Sequence, residues 1–188
     1  MCSTDHHDSL DSIVKRYLGI FPLENERLKS LVFQLSERPR LLLHRQTFPG
    51  HITASGIVVK GNEMLMIFHP YLRKWLAPGG HIDEMESPEE AAIRETREET
   101  GFLTTTHSWH GKHNCPFDID THQIPENPEK NEPAHLHYDF RYLLDLQPAT
   151  RGKTENLAVE WRPWRDLDEA PLLQVKKKLR QPFLLDDG

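Results

Sequence analysis

Residues 79 to 102 read GGHIDEMESPEEAAIRETREETGF, with seven glutamates and two arginines behind a glycine pair. Glu95, Glu98 and Glu99 stand at i, i+3 and i+4, so on a helix their carboxylates project from one face. Like charges at that spacing repel by about a few tenths of a kcal/mol per pair when exposed, and by more against a packed domain. A plain surface helix could offset this through Glu90 to Arg94 and Arg94 to Glu98 pairs at i, i+4. The opposite face, however, carries only Ala92, Ile93, Thr96 and Thr100, a thin stripe for amphipathic packing. The LAPGG run before the helix adds flexible backbone whose carbonyls can turn toward the carboxylates. Three carboxylates and a carbonyl make a hard oxygen site, the chemistry that Mg²⁺ or Mn²⁺ takes.

A second set of polar residues lies in PAHLHYDFRYLL. Strand alternation puts His135, His137, Asp139 and Arg141 on one face and Leu136, Tyr138, Phe140 and Tyr142 on the other. A half-exposed sheet produces the same pattern without any site. If the polar row faces a cleft, His135 and His137 are placed to bind phosphate or to move protons. A zinc site from these two and one of His110, His113 or His122 is a weaker alternative, because the spacing matches no closed structural site. Arg73 and Trp75 are candidates for contact with a substrate's phosphate or base, against solvent and core packing as the plain readings. The GHITASG segment offers His51 and Thr53 at a pocket mouth, or is simply a small-residue strand.

The elements that must hold these residues can be read from the pattern of apolar positions. Ser87 is a helix N-cap, Pro88 suits the first helical position, Glu90 completes a capping box, and Gly101 ends the helix. Helical spacing recurs over Leu10 to Leu18 and Leu23 to Ser36, closed by Pro39. RLLLHR, TASGIVVK and EMLMIFHP read as strands, with KGNE at Lys60 to Glu63 as a hairpin turn between the last two. HLHYDFRYLLDL reads as one long strand and NLAVEWRPW as another that ends by Pro163. Leu167 to Leu179 predicts a helix burying Leu172, Val175 and Leu179. Residues 107 to 134 are rich in Pro, Asn, His and Asp and read for the most part as a loop, with room for a strand through Phe117 to Ile124; a loop of this length often shapes a binding site, with a disordered insertion as the plain alternative.

The chain has 188 residues, 37% hydrophobic and 28% charged, with a formal net charge of -6, which predicts one folded domain and disfavours nucleic acid or anionic membrane as a partner. The single basic run, Lys176 to Lys178, reads as a solvated helix face. Cys2 and Cys115 are too few for a disulfide scaffold or a thiolate metal site, so a reducing cytoplasm is the expected setting. No segment approaches the roughly 20 apolar residues that a membrane span needs.

From Gly80 the chain runs Gly, five residues, Glu86, seven residues, Arg94-Glu95, two residues, Glu98-Glu99, one residue, Gly101 and Phe102. This resembles the Nudix box of the Nudix hydrolases, with Thr96 standing where the family usually has an aliphatic residue. The resemblance implies an α/β fold, a Nudix-type α/β/α sandwich around a mixed β-sheet. Residues 1 to 38 would then be an added helical N-terminal element packed on a domain of residues 39 to 188. It further implies Glu95, Glu98 and Glu99 as catalytic and metal-binding carboxylates for Mg²⁺ or Mn²⁺, with the Gly79 or Gly80 carbonyl nearby. Glu86 and Arg94 would brace the loop against the helix, leaving Glu84 and Glu89 on the surface. Glu155, six residues before Trp161, matches a place where some relatives put an extra metal-binding glutamate, with Glu160 as its rival. The function implied is hydrolysis of a diphosphate linkage in a small nucleotide-type substrate by a protein that could pair as a homodimer. A non-catalytic nucleotide-binding module and a diphosphate isomerase remain as alternatives.

Overall fold

The computed structural model describes residues 9–128, 131–148, 152, 154, 157–163 and 172–181. Two helices open the chain, α1 (Leu10–Ile20), capped by the Ser9 hydroxyl, and α2 (Lys29–Glu37). Their apolar faces, including Val14, Tyr17, Leu28, Leu31 and Leu35, enter the same core as the sheet residues Ile52, Ala54, Tyr138 and Phe140.

RLLLHR is not a strand. Pro39–Leu41 form a 3-10 turn and the chain stays irregular up to Gly50. The leucines there do not alternate: Leu42 is fully buried while Leu41 is half exposed. A proline at the start of the run favours a helical first turn over a ladder that needs its N–H.

The sheet follows. Its strands are β1 (Gly50–Lys60), β2 (Glu63–His69), β3 (Lys74–Leu76), β4 (Gly79–His81), β5 (Thr104–Thr106), β6 (Asp118–Ile124), β7 (His135–Leu146) and β8 (Ala158–Pro163). The path is β3-β2-β1-β7-β5, with β4 on β1, β6 on β7 and β8 on β2. β1 and β7 run parallel and the other pairs antiparallel, so the sheet is mixed. The Lys60 to Glu63 hairpin falls where expected, with Gly61 at φ 57°. Helices α3 (Pro88–Thr100), α4 (Ser108–His113) and α5 (Leu173–Leu179) complete an α/β fold flanked by helices, in keeping with the α/β/α sandwich. The predicted helix from Leu167 is seen only from residue 172 on, the earlier part lying outside the described residues. Leu172, Val175 and Leu179 are buried as its spacing required.

Two local results differ from expectation. The segment read as a loop contains α4 as well as β6, because the His107 side chain accepts the Trp109 N–H as an N-cap and Asn114 closes the helix in a left-handed conformation. In the lysine run Lys177 is exposed and Lys176 half-buried, but Lys178 is buried, donating to the Tyr17 hydroxyl at 2.6 Å and to Asp118 at 2.8 Å.

Candidate active site

Helix α3 has the cap, box and end that its sequence specifies. The Ser87 side chain accepts the Glu90 N–H, Glu90 returns the bond to the Ser87 N–H, and Gly101 stops the helix at φ 73°. Its thin inner face works because β1 offers it a glycine. A Cβ built on Gly56 would lie 2.1 Å from the Thr96 hydroxyl, so the Thr96 side chain packs directly on the bare backbone of the strand. Thr96 at this contact fills less space than an aliphatic residue and satisfies its buried hydroxyl by donating to the Ala92 carbonyl at 2.7 Å.

Arg94 organises the acidic face. Its Nε donates to Glu86 at 2.9 Å and one Nη to the other Glu86 oxygen at 3.0 Å, the bidentate geometry that makes Arg–carboxylate pairs strong. The same Nη reaches the His81 carbonyl at 2.9 Å, tying the loop to the helix. The other Nη donates to both Glu95 at 2.9 Å and Glu98 at 3.0 Å. The hydrogen bond to Glu86 comes first among the influences that raise the pKa of Arg94, and Glu95 adds to it.

Glu99 is buried and accepts the Gly79 N–H at 2.8 Å, while a Cβ on Gly80 would collide with Glu95. The glycine pair is thus the surface on which two of the carboxylates rest. Glu98 is the open member, its side chain 47% exposed. Glu89, expected at the surface, instead accepts from the Thr106 hydroxyl at 2.5 Å and ties α3 to β5.

On the other side of Gly79 and Gly80 lies a cavity of about 550 Å³, a size suited to a small-molecule ligand. Its floor is one part of a polar grid set by strand register. His51, Thr53 and Ser55 of β1 stand opposite His137, Asp139 and Arg141 of β7, which stand opposite His122, Asp120 and Asp118 of β6. The alternation read in β7 is correct, and its polar row lines the cavity, with His135, Asp139 and Arg141 buried and His137 half-buried. Burial comes first in lowering His51 to about 4 and His137 to about 2, with neighbouring histidines adding to it, so these two rings are neutral near pH 7.

His51, His135 and His137 line the cavity as the sequence proposed, joined by His81 and His122. Arg73 and Trp75 do not line it. Period-two alternation in β3 turns Lys74 and Leu76 to the cavity and Trp75 away, where it packs on Phe68 and beneath Arg162. Arg73 occupies an exposed turn at φ 53°. Glu155 lies outside the described residues. Glu160 is exposed on β8 and pairs with Arg162 at 3.3 Å.

His110 and His113 are no part of a cluster with His135 and His137. His110 is buried with its Nδ1 donating to the Cys115 carbonyl at 2.8 Å and its Nε2 accepting the Leu143 N–H at 2.9 Å, and His113 packs on Trp109. The third member of the imidazole group is His51. His81 was not singled out from sequence, although its position directly after the glycine pair was a usable signal.

The NUDIX domain family matches residues 49–185. A Lactococcus lactis protein named "Probable DHNTP pyrophosphohydrolase" is 35% identical over 138 residues, covering 73% of this chain and 80% of that protein. An ADP-ribose pyrophosphatase of Methanocaldococcus jannaschii is 34% identical over 80 residues, 41% of this chain and 44% of that one. The solved structure of a NUDIX-family hydrolase from Clostridium perfringens aligns at 25% identity and TM-score 0.49, over 69% of this chain and 95% of that one. With the box residues braced as the geometry above requires, the chain belongs to the Nudix family and is a hydrolase of phosphoanhydride bonds in nucleotide-derived diphosphates.

Proposed function

We propose that the hydrolase works with Mg²⁺ or Mn²⁺ held by Glu95, Glu98 and Glu99, with the Gly79 carbonyl beside them. The linkage cleaved is the diphosphate of a nucleoside diphosphate derivative: a nucleotide sugar, a dinucleoside polyphosphate or a nucleoside triphosphate. The donor set fits such an ion. It is all oxygen, it carries more negative charge than Arg94 can neutralise, and Glu95 and Glu98 already share one cationic nitrogen. When bound, the ion supplies charge neutralisation on the phosphoryl oxygens and acidifies an attacking water.

The observation that carries the reading is the double use of Gly79 and Gly80. They contact Glu99 and Glu95 on one side and line the cavity on the other. A diphosphate lying against the glycines therefore meets the carboxylates while the rest of the substrate enters the cavity. His51, His135 and His137 then contact that moiety, and Glu98, the carboxylate most open to solvent, takes the proton from water. Glu86 and Arg94 position the helix rather than touch the reacting atoms. Relatives named for different substrates suit this division, with a constant acidic helix and a cavity wall that varies.

The test is Mg²⁺-dependent cleavage across the three substrate classes, read by chromatography of the nucleotide products, with Glu98→Gln as the control. The unaltered protein should turn over at least one class, and the variant should lose on the order of 10²–10⁴-fold in kcat at similar KM. Full activity in the variant, or no turnover of any class by the unaltered protein, overturns the assignment.

A further inference from the structure

The imidazoles of His51, His135 and His137 each offer one nitrogen within 4.8 Å of the others, the one such group of three ligating side chains among the described residues. The nitrogens are held in specific states by their outer partners. His135 Nδ1 faces the Pro133 carbonyl at 2.8 Å and His51 Nδ1 faces the Thr47 carbonyl at 3.4 Å, so each Nδ1 carries the hydrogen. Each Nε2 is then a bare lone pair. A backbone carbonyl fixing the far nitrogen is the arrangement found behind metal-ligating histidines.

A packing role leaves this arrangement unexplained. His51 is 1% exposed, and its Nε2 has no hydrogen-bond partner in a wholly buried position. Leaving such a buried acceptor unpaired is unfavourable. With its Nδ1 donating to the Pro133 carbonyl, His135 accepts at Nε2 from His137 Nε2–H at 3.1 Å. Two nitrogens bound to one tetrahedral ion at Zn–N of 2.0–2.1 Å are separated by about 3.3 Å, so this pair already has the ligand spacing. A neutral His137 frees its Nε2 lone pair by moving the ring proton to Nδ1.

We propose that His51, His135 and His137 bind a zinc-class transition-metal ion, separate from the hard-oxygen site on α3, with its remaining coordination position open to the cavity. Three imidazoles suit Zn²⁺, Co²⁺ or Ni²⁺ and disfavour Mg²⁺, so the two sites select different ions. Three protein ligands and an open position define a site that takes a further oxygen or nitrogen donor from a ligand in the cavity, rather than a closed structural one. His81 and His122 pack against the three rings, with centroids 5.2 Å from His51 and 5.6 Å from His137.

Zn²⁺ or Co²⁺ titrated into the chelator-stripped full chain in excess Mg²⁺ tests this without reference to hydrolysis. We expect one equivalent bound tightly, and a Co²⁺ visible spectrum of a four- or five-coordinate nitrogen site. His137→Gln should weaken binding by at least about a hundredfold, since loss of an outer partner alone costs 10–100-fold. His51→Gln should do the same, and circular dichroism on both variants confirms folding. If one variant fails to fold, the other decides the question, and the Co²⁺ spectrum of the unaltered protein decides it if both do. Glu98→Gln should leave binding and spectrum unchanged. The proposal falls if no equivalent binds, if the spectrum is that of a six-coordinate oxygen site, if a folded histidine variant binds as tightly as the parent, or if Glu98→Gln abolishes binding.

Discussion

The polar face shared by β1, β7 and β6 has two ends built to opposite rules. At the Arg141 end every charge is answered. The guanidinium donates to Asp139 at 2.8 Å, Asp118 at 3.1 Å and Asp120 at 3.2 Å, Ser55 donates to Asp139 at 2.7 Å, and Lys178 reaches Asp118 at 2.8 Å. Burial opposes the Arg141 charge, but Asp139, Asp118 and Asp120 more than offset it and its pKa is raised. Four residues away along the paired β1 and β7 the histidine end leaves the buried His51 Nε2 without a partner. A buried polar network that closes on itself specifies structure, whereas one left open at a cavity is prepared for something that arrives from outside.

The comparison breaks first at Arg141. Arg141→Met keeps most of the volume but removes the guanidinium that three buried carboxylates share, and the loss of one partner from a buried ion network costs about 3–5 kcal/mol. Urea unfolding should show a midpoint shift of that size with little change in slope. A shift under about 1 kcal/mol would mean that the network is solvated and that the two ends do not differ in kind.

His110 supplies the next test, as a histidine with both nitrogens used inside the fold. Burial lowers its pKa to about 4, so the folded state holds it neutral while the unfolded chain takes up a proton near 6.5. Its contribution is therefore complete above about pH 6.5 and drains away as pH falls toward 4, by about 3 kcal/mol in all. His110→Gln should be less stable at pH 8, and its stability should fall less steeply between pH 6.5 and 4 than that of the parent. The difference between the two profiles isolates this residue, and parallel profiles would show that the ring is not held neutral.

Much of the acidic site was legible because α3 is governed by local rules. Ser87, Pro88, Glu90 and Gly101 fix the helix within itself, and spacing alone then sends Glu95, Glu98 and Glu99 to one face. The long strand β7 was equally plain from alternation. The strand expected at RLLLHR failed because hydrophobicity without alternation does not distinguish a strand from a turn carrying one core leucine. The imidazole group was only half visible. His135 and His137 share a strand, but His51 joins them through the parallel β1 and β7 register, a pairing between residues far apart in the chain that no local pattern encodes. Lys178 was missed for a similar reason, since its partners Tyr17, Glu24 and Asp118 come from distant segments.

The smallest effect is the most discriminating. If the histidine end is held open for a ligand, its unpaired atom is a standing cost to the metal-free fold, and removing it should help. His51→Leu deletes the orphan Nε2 and keeps most of the buried volume at the cost of the weak Nδ1 contact to Thr47. In chelator-stripped protein the variant should be unchanged or more stable by about 1 kcal/mol, opposite in sign to Arg141→Met on the same face. The parent should regain the difference, and exceed it, when Zn²⁺ is added, because a ligand that binds only the folded state stabilises it in proportion to the logarithm of its concentration over Kd. A loss of about 2 kcal/mol or more in the metal-free variant would place His51 with Arg141 and His110, as a packed and satisfied part of the core.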